Sequence, residues 1–284
     1  MPRVVQAVGP SYHLPDRKTA VQRSVNLYLS EVEGMGEDTQ LILESVPGLA
    51  LLVDCGATIR GSYRAGSRWF VAAGSALYEV DGVNLTNRGT LLTGAGFVSM
   101  KHGSNQLVLV DGDNGYVLNL GNNVFAGISS PGWRGSYFVD ELDGYFIFVA
   151  PDTEQFYLSA IDDASDLNAL DFSSADKQPD NIVTHRVCKS DLYLFGELSV
   201  EVWIDSGAAD FPLIRYSGAP IDVGVVGARA AIAAADTLWF VGQTKKGRGF
   251  VYVMEGRQPV RVSTRAVEED LQAAGVDLSQ CSMW

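Results

Sequence analysis

Five short runs of consecutive apolar residues punctuate the chain: Trp69-Phe70-Val71, Leu107-Val108-Leu109, Phe146-Ile147-Phe148, Leu192-Tyr193-Leu194 and Leu238-Trp239-Phe240. A more alternating run follows each: Ala76-Leu77-Tyr78-Glu79-Val80, Tyr116-Val117-Leu118-Asn119-Leu120, Gln155-Phe156-Tyr157-Leu158, Val200-Glu201-Val202-Trp203 and Phe250-Val251-Tyr252-Val253-Met254. A strand apolar at successive positions must be covered on both faces, so the first runs read as the inner strands of a repeated unit. The alternating companions read as strands nearer the rim, with one wet face. Asp81-Gly82, Asp111-Gly112, Asp143-Gly144 and Ser206-Gly207 suit the positive φ of tight turns.

The first runs start at residues 69, 107, 146, 192 and 238, a repeat of 38 to 46 residues. Four-stranded propeller blades run about 40–50 residues, and such a blade buries both faces only by stacking on its neighbours. A β-sandwich would show strands every 8–12 residues or so without the longer period. The expectation is therefore an all-β propeller of about five to seven four-stranded blades. Five are visible, so either the N-terminal segment helps to close the ring or the chain is part of a longer protein.

One helix is predicted, over Thr264 to Ala274, with Ser263 or Thr264 as cap and Val267, Leu271 and Ala274 on one face. The Asp-rich stretch Asp162 to Leu170 reads as a loop. Residues 1–56 differ in texture, with Gly9-Pro10, Leu14-Pro15, Pro47-Gly48 and a basic Arg17-Lys18. Only Val25-Asn26-Leu27-Tyr28-Leu29 there reads as a strand. The expected organisation is an extended N-terminal strap, 1–56, and propeller blades over 57–284.

Composition narrows the function. Of 284 residues, 46% are hydrophobic and 19% charged, which argues against disorder. Lys and Arg number 21 against 34 Asp and Glu, a net charge of −13. A surface so acidic does not wrap DNA by neutralising phosphates, which excludes histone-like readings. No apolar stretch approaches the ~20 residues of a membrane span. The opening Met1-Pro2-Arg3-Val4-Val5-Gln6 has no apolar signal-peptide core, and Cys55, Cys188 and Cys281 are odd in number and far apart. Both features fit a protein made in a cytosol without a membrane anchor.

Catalytic and metal chemistry find no foothold. His13, His102 and His185 stand in none of the spacings that hold a metal, and no nucleophile elbow, P-loop or dinucleotide fingerprint occurs in its structural context. Gly242-Gln243-Thr244-Lys245-Lys246-Gly247-Arg248-Gly249 lies between two strands and reads as a solvated hairpin loop rather than a phosphate cradle. Asp111-Gly112-Asp113-Asn114-Gly115 opens like a calcium loop, but the twelfth position is Asn122, not a bidentate Glu. Asp162-Asp163 and Glu268-Glu269-Asp270 read as solvated faces. No catalytic, cofactor or metal residue is assigned. Asn26 and Tyr28 in the strap are candidates for inter-subunit or cross-blade packing; the alternative is that they only order the strap.

Gly9-Pro10-Ser11-Tyr12, Gln22-Arg23-Ser24-Val25-Asn26-Leu27-Tyr28 and Leu43-Glu44-Ser45-Val46-Pro47-Gly48-Leu49 come first in a longer series. Arg60-Gly61-Ser62-Tyr63, Leu77-Tyr78, Lys177-Gln178-Pro179-Asp180-Asn181-Ile182, Gly249-Phe250-Val251-Tyr252 and Gln258-Pro259-Val260-Arg261-Val262-Ser263-Thr264 continue it. In this order and spacing the series resembles the packaged-DNA stabilisation proteins of short-tailed phages, also called tail accessory factors or tail-hub proteins. The resemblance implies a non-enzymatic virion protein without cofactor, made in the host bacterial cytoplasm and built into the tail. It implies a ring of six copies below the portal adaptor, carrying the tail needle or plug and the tailspikes or fibres. DNA would then pass the channel without specific binding, past acidic walls that repel phosphates. Two rivals remain: a propeller-fold glycoside hydrolase or lyase, with convergent carboxylates in a central or top-face pocket, and a non-viral propeller scaffold.

Overall fold

The computed structural model describes residues 26–33, 39–176, 180–208, 211–218 and 221–283. Gly9-Pro10, His13, Leu14-Pro15, Arg17-Lys18 and Lys177-Gln178-Pro179 lie outside them. The chain divides into two compact units.

The smaller unit holds β1 (Leu27–Glu33), β2 (Thr39–Ser45) and one helix. β1 and β2 pair antiparallel with Tyr28 opposite Glu44. β2 had no counterpart among the predicted strands. The helix, α1 (Arg265–Leu271), is shorter than predicted, and Thr264 at its N-cap makes no side-chain cap bond. Ser263 Oγ instead donates to Glu268 Oε1 at 2.6 Å. Of the face shared by Val267 and Leu271, Val267 is exposed, and the buried residues of the helix are Ala266 and Glu268.

The larger unit is made of five antiparallel sheets. The first contains β3 (Ile59–Ala65), β4 (Arg68–Ala73), β5 (Ala76–Asp81) and β6 (Asn84–Thr90). β7 (Ser99–His102), β8 (Gln106–Val110), β9 (Gly115–Asn119) and β10 (Phe125–Gly127) form the second. The third is β11 (Val139–Leu142), β12 (Tyr145–Val149), β13 (Gln155–Leu158) and β14 (Phe172–Ser174). The fourth is β15 (Ile182–Cys188), β16 (Asp191–Gly196), β17 (Val200–Asp205) and β18 (Leu213–Arg215). In the fifth, β19 (Gly224–Val225) and β20 (Ala231–Ala234) both pair with β21 (Thr237–Thr244), followed by β22 (Gly247–Glu255) and β23 (Gln258–Arg261). The first four sheets are meanders in sequence order, as is β20 to β23 of the fifth, and successive first strands touch: β3 with β7, β7 with β11, β11 with β15, β15 with β20. Five blades therefore stack in order.

The apolar runs of the sequence are the second strands, β4, β8, β12, β16 and β21, rather than the innermost ones. A second strand has a strand on each side, and β8, β12 and β16 also have a blade against each face, which buries nearly every position; β4 leaves Trp69 exposed and β21 leaves Trp239 half-buried. Leu107, Leu109, Phe146, Ile147, Phe148 and Leu192 are accordingly excluded from solvent. The companion runs are the third strands: β9, β13 and β17 are buried almost throughout rather than wet on one face, whereas β5 and β22 alternate as expected. Solvent meets the short fourth strands, such as β14 and β18.

Side chains of alternate parity make successive inter-blade layers. Phe70 and Leu77 meet Leu107, Leu109 and Leu118 between blades 1 and 2, and Val108 and Val117 meet Phe146, Phe148 and Tyr157 between blades 2 and 3. Ile147, Phe156 and Leu158 pack on Leu192, Leu194 and Trp203 between blades 3 and 4, and Phe195 meets Phe240 edge-on between blades 4 and 5. Burying each such side chain stabilises the stack by roughly 1.5–3 kcal/mol. The turns fall as predicted: Gly82, Gly112, Gly207 and the pair Asp143-Gly144 all take positive φ. The Gly242–Gly249 stretch is the β21–β22 hairpin, and Asp162 to Leu170 is a loop.

Candidate functional site

The first strands, which no apolar run announced, line an open cavity of about 270 Å³. β3, β7, β11, β15 and β20 all contribute to its wall, so it lies where the five blades converge. Tyr63, Lys101, Asp140, Arg186 and Ile232 hold equivalent places in it, one from each blade. Each stands six residues before the first residue of its blade's apolar run. That offset is the signal the sequence carried for them.

Lys101 Nζ reaches Asp140 Oδ1 at 2.5 Å, joining blades 2 and 3. Burial alone would pull the Lys101 ammonium down, but the charge and hydrogen bond of Asp140 more than offset it and hold it above its usual pKa. Asp140 Oδ2 accepts the Val187 N–H at 2.7 Å, which ties blade 3 to blade 4. The Arg186 guanidinium donates from Nε to the Ala231 carbonyl at 3.0 Å and from Nη1 to Thr184 Oγ1 at 2.9 Å and the His185 carbonyl at 2.5 Å. It also lies 4.7 Å above the Phe138 ring. Burial lowers it to about 10, the Asp140 charge offsetting only part of that cost. The neighbouring His185 is fully buried, and burial lowers it to about 4. Its Nε2 faces the Ile147 carbonyl at 3.2 Å, so the proton sits there, and the buried Nδ1 has no partner among the described residues.

Hollows flank the cavity at both ends. At the C-terminal ends of the first strands, Tyr63, Lys101, His102, Glu141, Asp143 and Asp162 line an open hollow of about 590 Å³. Tyr63 Oη and His102 Nδ1 are hydrogen-bonded there at 2.9 Å. The carboxylates hold turns: Glu141 Oε1 accepts the Gly144 N–H at 2.7 Å, and Asp162 Oδ1 accepts Ser104 Oγ at 2.8 Å. At the opposite end Ser136, Asn181, Thr184, His185 and Glu197 are among the residues around a hollow of about 280 Å³. Among the described residues no cluster of His, Cys, Asp and Glu could hold a metal ion. The three cysteines are free thiols.

Asn26 and Tyr28 stand elsewhere, in the smaller unit. Asn26, at φ 56°, closes the β1–β2 hairpin by accepting the Val46 N–H at 3.0 Å. Tyr28 Oη donates to Glu44 Oε2 at 2.7 Å across the same hairpin, and that carboxylate raises the phenol above its usual pKa. Both contacts lie within the β1–β2 pair.

Stacked four-stranded meanders whose first strands converge on one cavity define a β-propeller unit. The Cps50 (Swd1) propeller domain of Myceliophteria thermophila shares this fold: TM-score 0.56, 10% identity, 78% of each chain covered. YjhT aligns at TM-score 0.47 and 12% identity over 71% of this chain and 82% of its own. The designed protein Ika4 aligns at 0.41 and 12% over 55% and 99%. Comparison with the curated proteins gave no match. The model of the bacteriophage P22 Gp10 stabilisation β-propeller family matches residues 22–283. The chain belongs to that family of phage stabilisation proteins.

Proposed function

We propose that the chain is the hub of a short phage tail: a ring of six copies docked below the portal adaptor, carrying the needle or plug and the tailspikes or fibres. In this reading it is not an enzyme, and it retains packaged DNA mechanically, by closing the exit channel with a bound plug. The observation that carries the ring is the crowding of the blade centre, where successive first strands touch and Lys101 closes on Asp140 at 2.5 Å. The hollow left there measures only about 270 Å³. A duplex whose major groove alone is about 12 Å wide has no path through it. A DNA conduit therefore has to form between copies, which requires different interfaces on opposite sides of one subunit. A net charge of −13 suits such a conduit, since acidic walls give phosphates nothing to hold.

Electron microscopy of the purified protein mixed with portal and adaptor tests this directly. Six-fold rings below the adaptor, and heads that leak DNA when the protein is left out, are the expected results. A monomer that ignores the adaptor and cleaves polysaccharide would replace the hub by the hydrolase reading, with Glu141, Asp143 and Asp162 as the carboxylates to test first.

A further inference from the structure

The ring of equivalent residues in the axial cavity is out of balance. Lys101 and Arg186 contribute two positive charges and Asp140 one negative, in a protein whose total charge is strongly negative. Asp140 is already committed to Lys101 and to the Val187 N–H. Every acceptor on Arg186 is neutral, and among the described residues its Nη2 has no hydrogen-bond partner. A guanidinium whose protein acceptors are all neutral is a ready donor to an anion, and its hydrogen bond to one would be charge-assisted on both sides.

The remaining wall decides which anion. Phe97, Met100, Phe138 and Ile232 give the cavity an apolar lining, and the Phe97 and Phe138 rings lie 5.5 Å apart. Among the five equivalent positions one negative charge restores neutrality, and a dianion would also meet Asp140. We propose that the axial cavity binds a small monocarboxylate with an apolar body, its oxygens on Arg186 and Lys101 and its body against the two phenylalanines. The hollow that shares Tyr63 and Lys101 with the cavity gives entry from one end. The carboxylate can come from a free small molecule or from the C-terminus of a peptide.

Benzoate, benzamide and inorganic phosphate are the probes, titrated into the full chain at constant ionic strength. The Arg186 Nε–Hε resonance reports binding without any substitution. Benzoate is expected to shift it, with benzamide and phosphate each weaker by about tenfold, the worth of one charge-assisted hydrogen bond. Arg186→Gln is expected to lose benzoate binding by a similar factor while keeping its circular dichroism spectrum. A short peptide ending in phenylalanine distinguishes the sources: binding tighter than benzoate points to a protein terminus, weaker binding to a free ligand, and both support the site. Equal binding of benzoate and benzamide, preference for phosphate, or no movement of the resonance at tens of millimolar benzoate would overturn the proposal.

Discussion

The Arg60 guanidinium and the Asp111 carboxylate face each other at 3.7 Å with both side chains out of solvent, joining blade 1 to blade 2. Arg60 also donates to the carbonyls of Gly74, Thr93 and Gly96, and Asp111 accepts from Thr93 Oγ1 and from Asn114. The pair thus sits in a satisfied network. Removing one partner leaves the other buried without its counter-charge, which costs far more than an exposed pair ever contributes. Asp111→Ala is therefore expected to lower unfolding stability by about 3–5 kcal/mol. Asp113→Ala, two residues along at an exposed position, should change it by less than about 0.5 kcal/mol. Urea unfolding of the two variants checks the contrast; similar midpoints would refute it.

Blade 1 approaches blade 2 at a second point, where only glycine fits. A Cβ on Gly61 would lie 2.2 Å from the Val98 carbonyl oxygen, a backbone atom that cannot swing aside. The Val98 N–H to Arg60 carbonyl bond, 3.1 Å, fixes that spacing from the other side. Gly61→Ala must push the two blades apart and is expected to cost about 1–3 kcal/mol. At Gly94 a Cβ would meet nothing within 4 Å, so Gly94→Ala should be neutral or slightly stabilising. Thermal melts of both variants test the pair, and an undamaged Gly61→Ala chain would mean that the first strands are not locked at this distance.

The second strands were legible because their burial on both faces writes unbroken apolar triplets such as Phe146-Ile147-Phe148. Third strands were legible as strands, though not as buried ones, since Glu201 and Gln155 break the apolar pattern while still lying in the stack. First strands were hidden because one edge faces a polar axis: Lys101, Asp140 and Arg186 replace the apolar residues a periodicity search looks for. Fourth strands such as Phe125–Gly127 are three residues long and carry no period at all. The axial site followed the first strands into obscurity. It could have been recovered only by aligning the repeats on their apolar runs and asking what stands six residues before each.

Glu79 makes the outer part of blade 1 acid-sensitive. Its carboxylate receives the Arg68 guanidinium at 2.7 Å and Arg88 Nε at 2.7 Å, and Arg68 continues to the Leu120 carbonyl in blade 2. The Arg68 hydrogen bond, working against burial and aided by Arg88, holds Glu79 down at about 2, against about 4.5 unperturbed. The folded pKa lies below the unfolded one, so this contribution is complete above about pH 4.5 and is lost as pH falls towards 2. Its size is at most about 3 kcal/mol, less what solvent screens at the partly exposed arginines. Glu79→Gln should flatten the stability curve in that window and leave its shape at higher pH unchanged. Denaturant unfolding from pH 6 to 2.5 reads this out, and parallel curves would show that Glu79 is not the titrating group.

His185 sets a second, higher window. The ring is buried between blades 3 and 4 and donates its one proton to the Ile147 carbonyl, so a second proton on Nδ1 would have no acceptor and would add a charge near Arg186 and Lys101. Burial is the largest cause of its low pKa, about 4 against 6.5 unperturbed, and Asp140 only partly opposes it. Because the unfolded chain takes the proton first, stability is expected to decline as pH falls from about 6.5 to 4, by up to about 3 kcal/mol. His185→Gln keeps a donor for Ile147 and removes the titration, so its stability should stay level across that range and fall only in the Glu79 window below. The same decline in both chains would show that the acid sensitivity between pH 6.5 and 4 arises outside the blade 3–blade 4 layer.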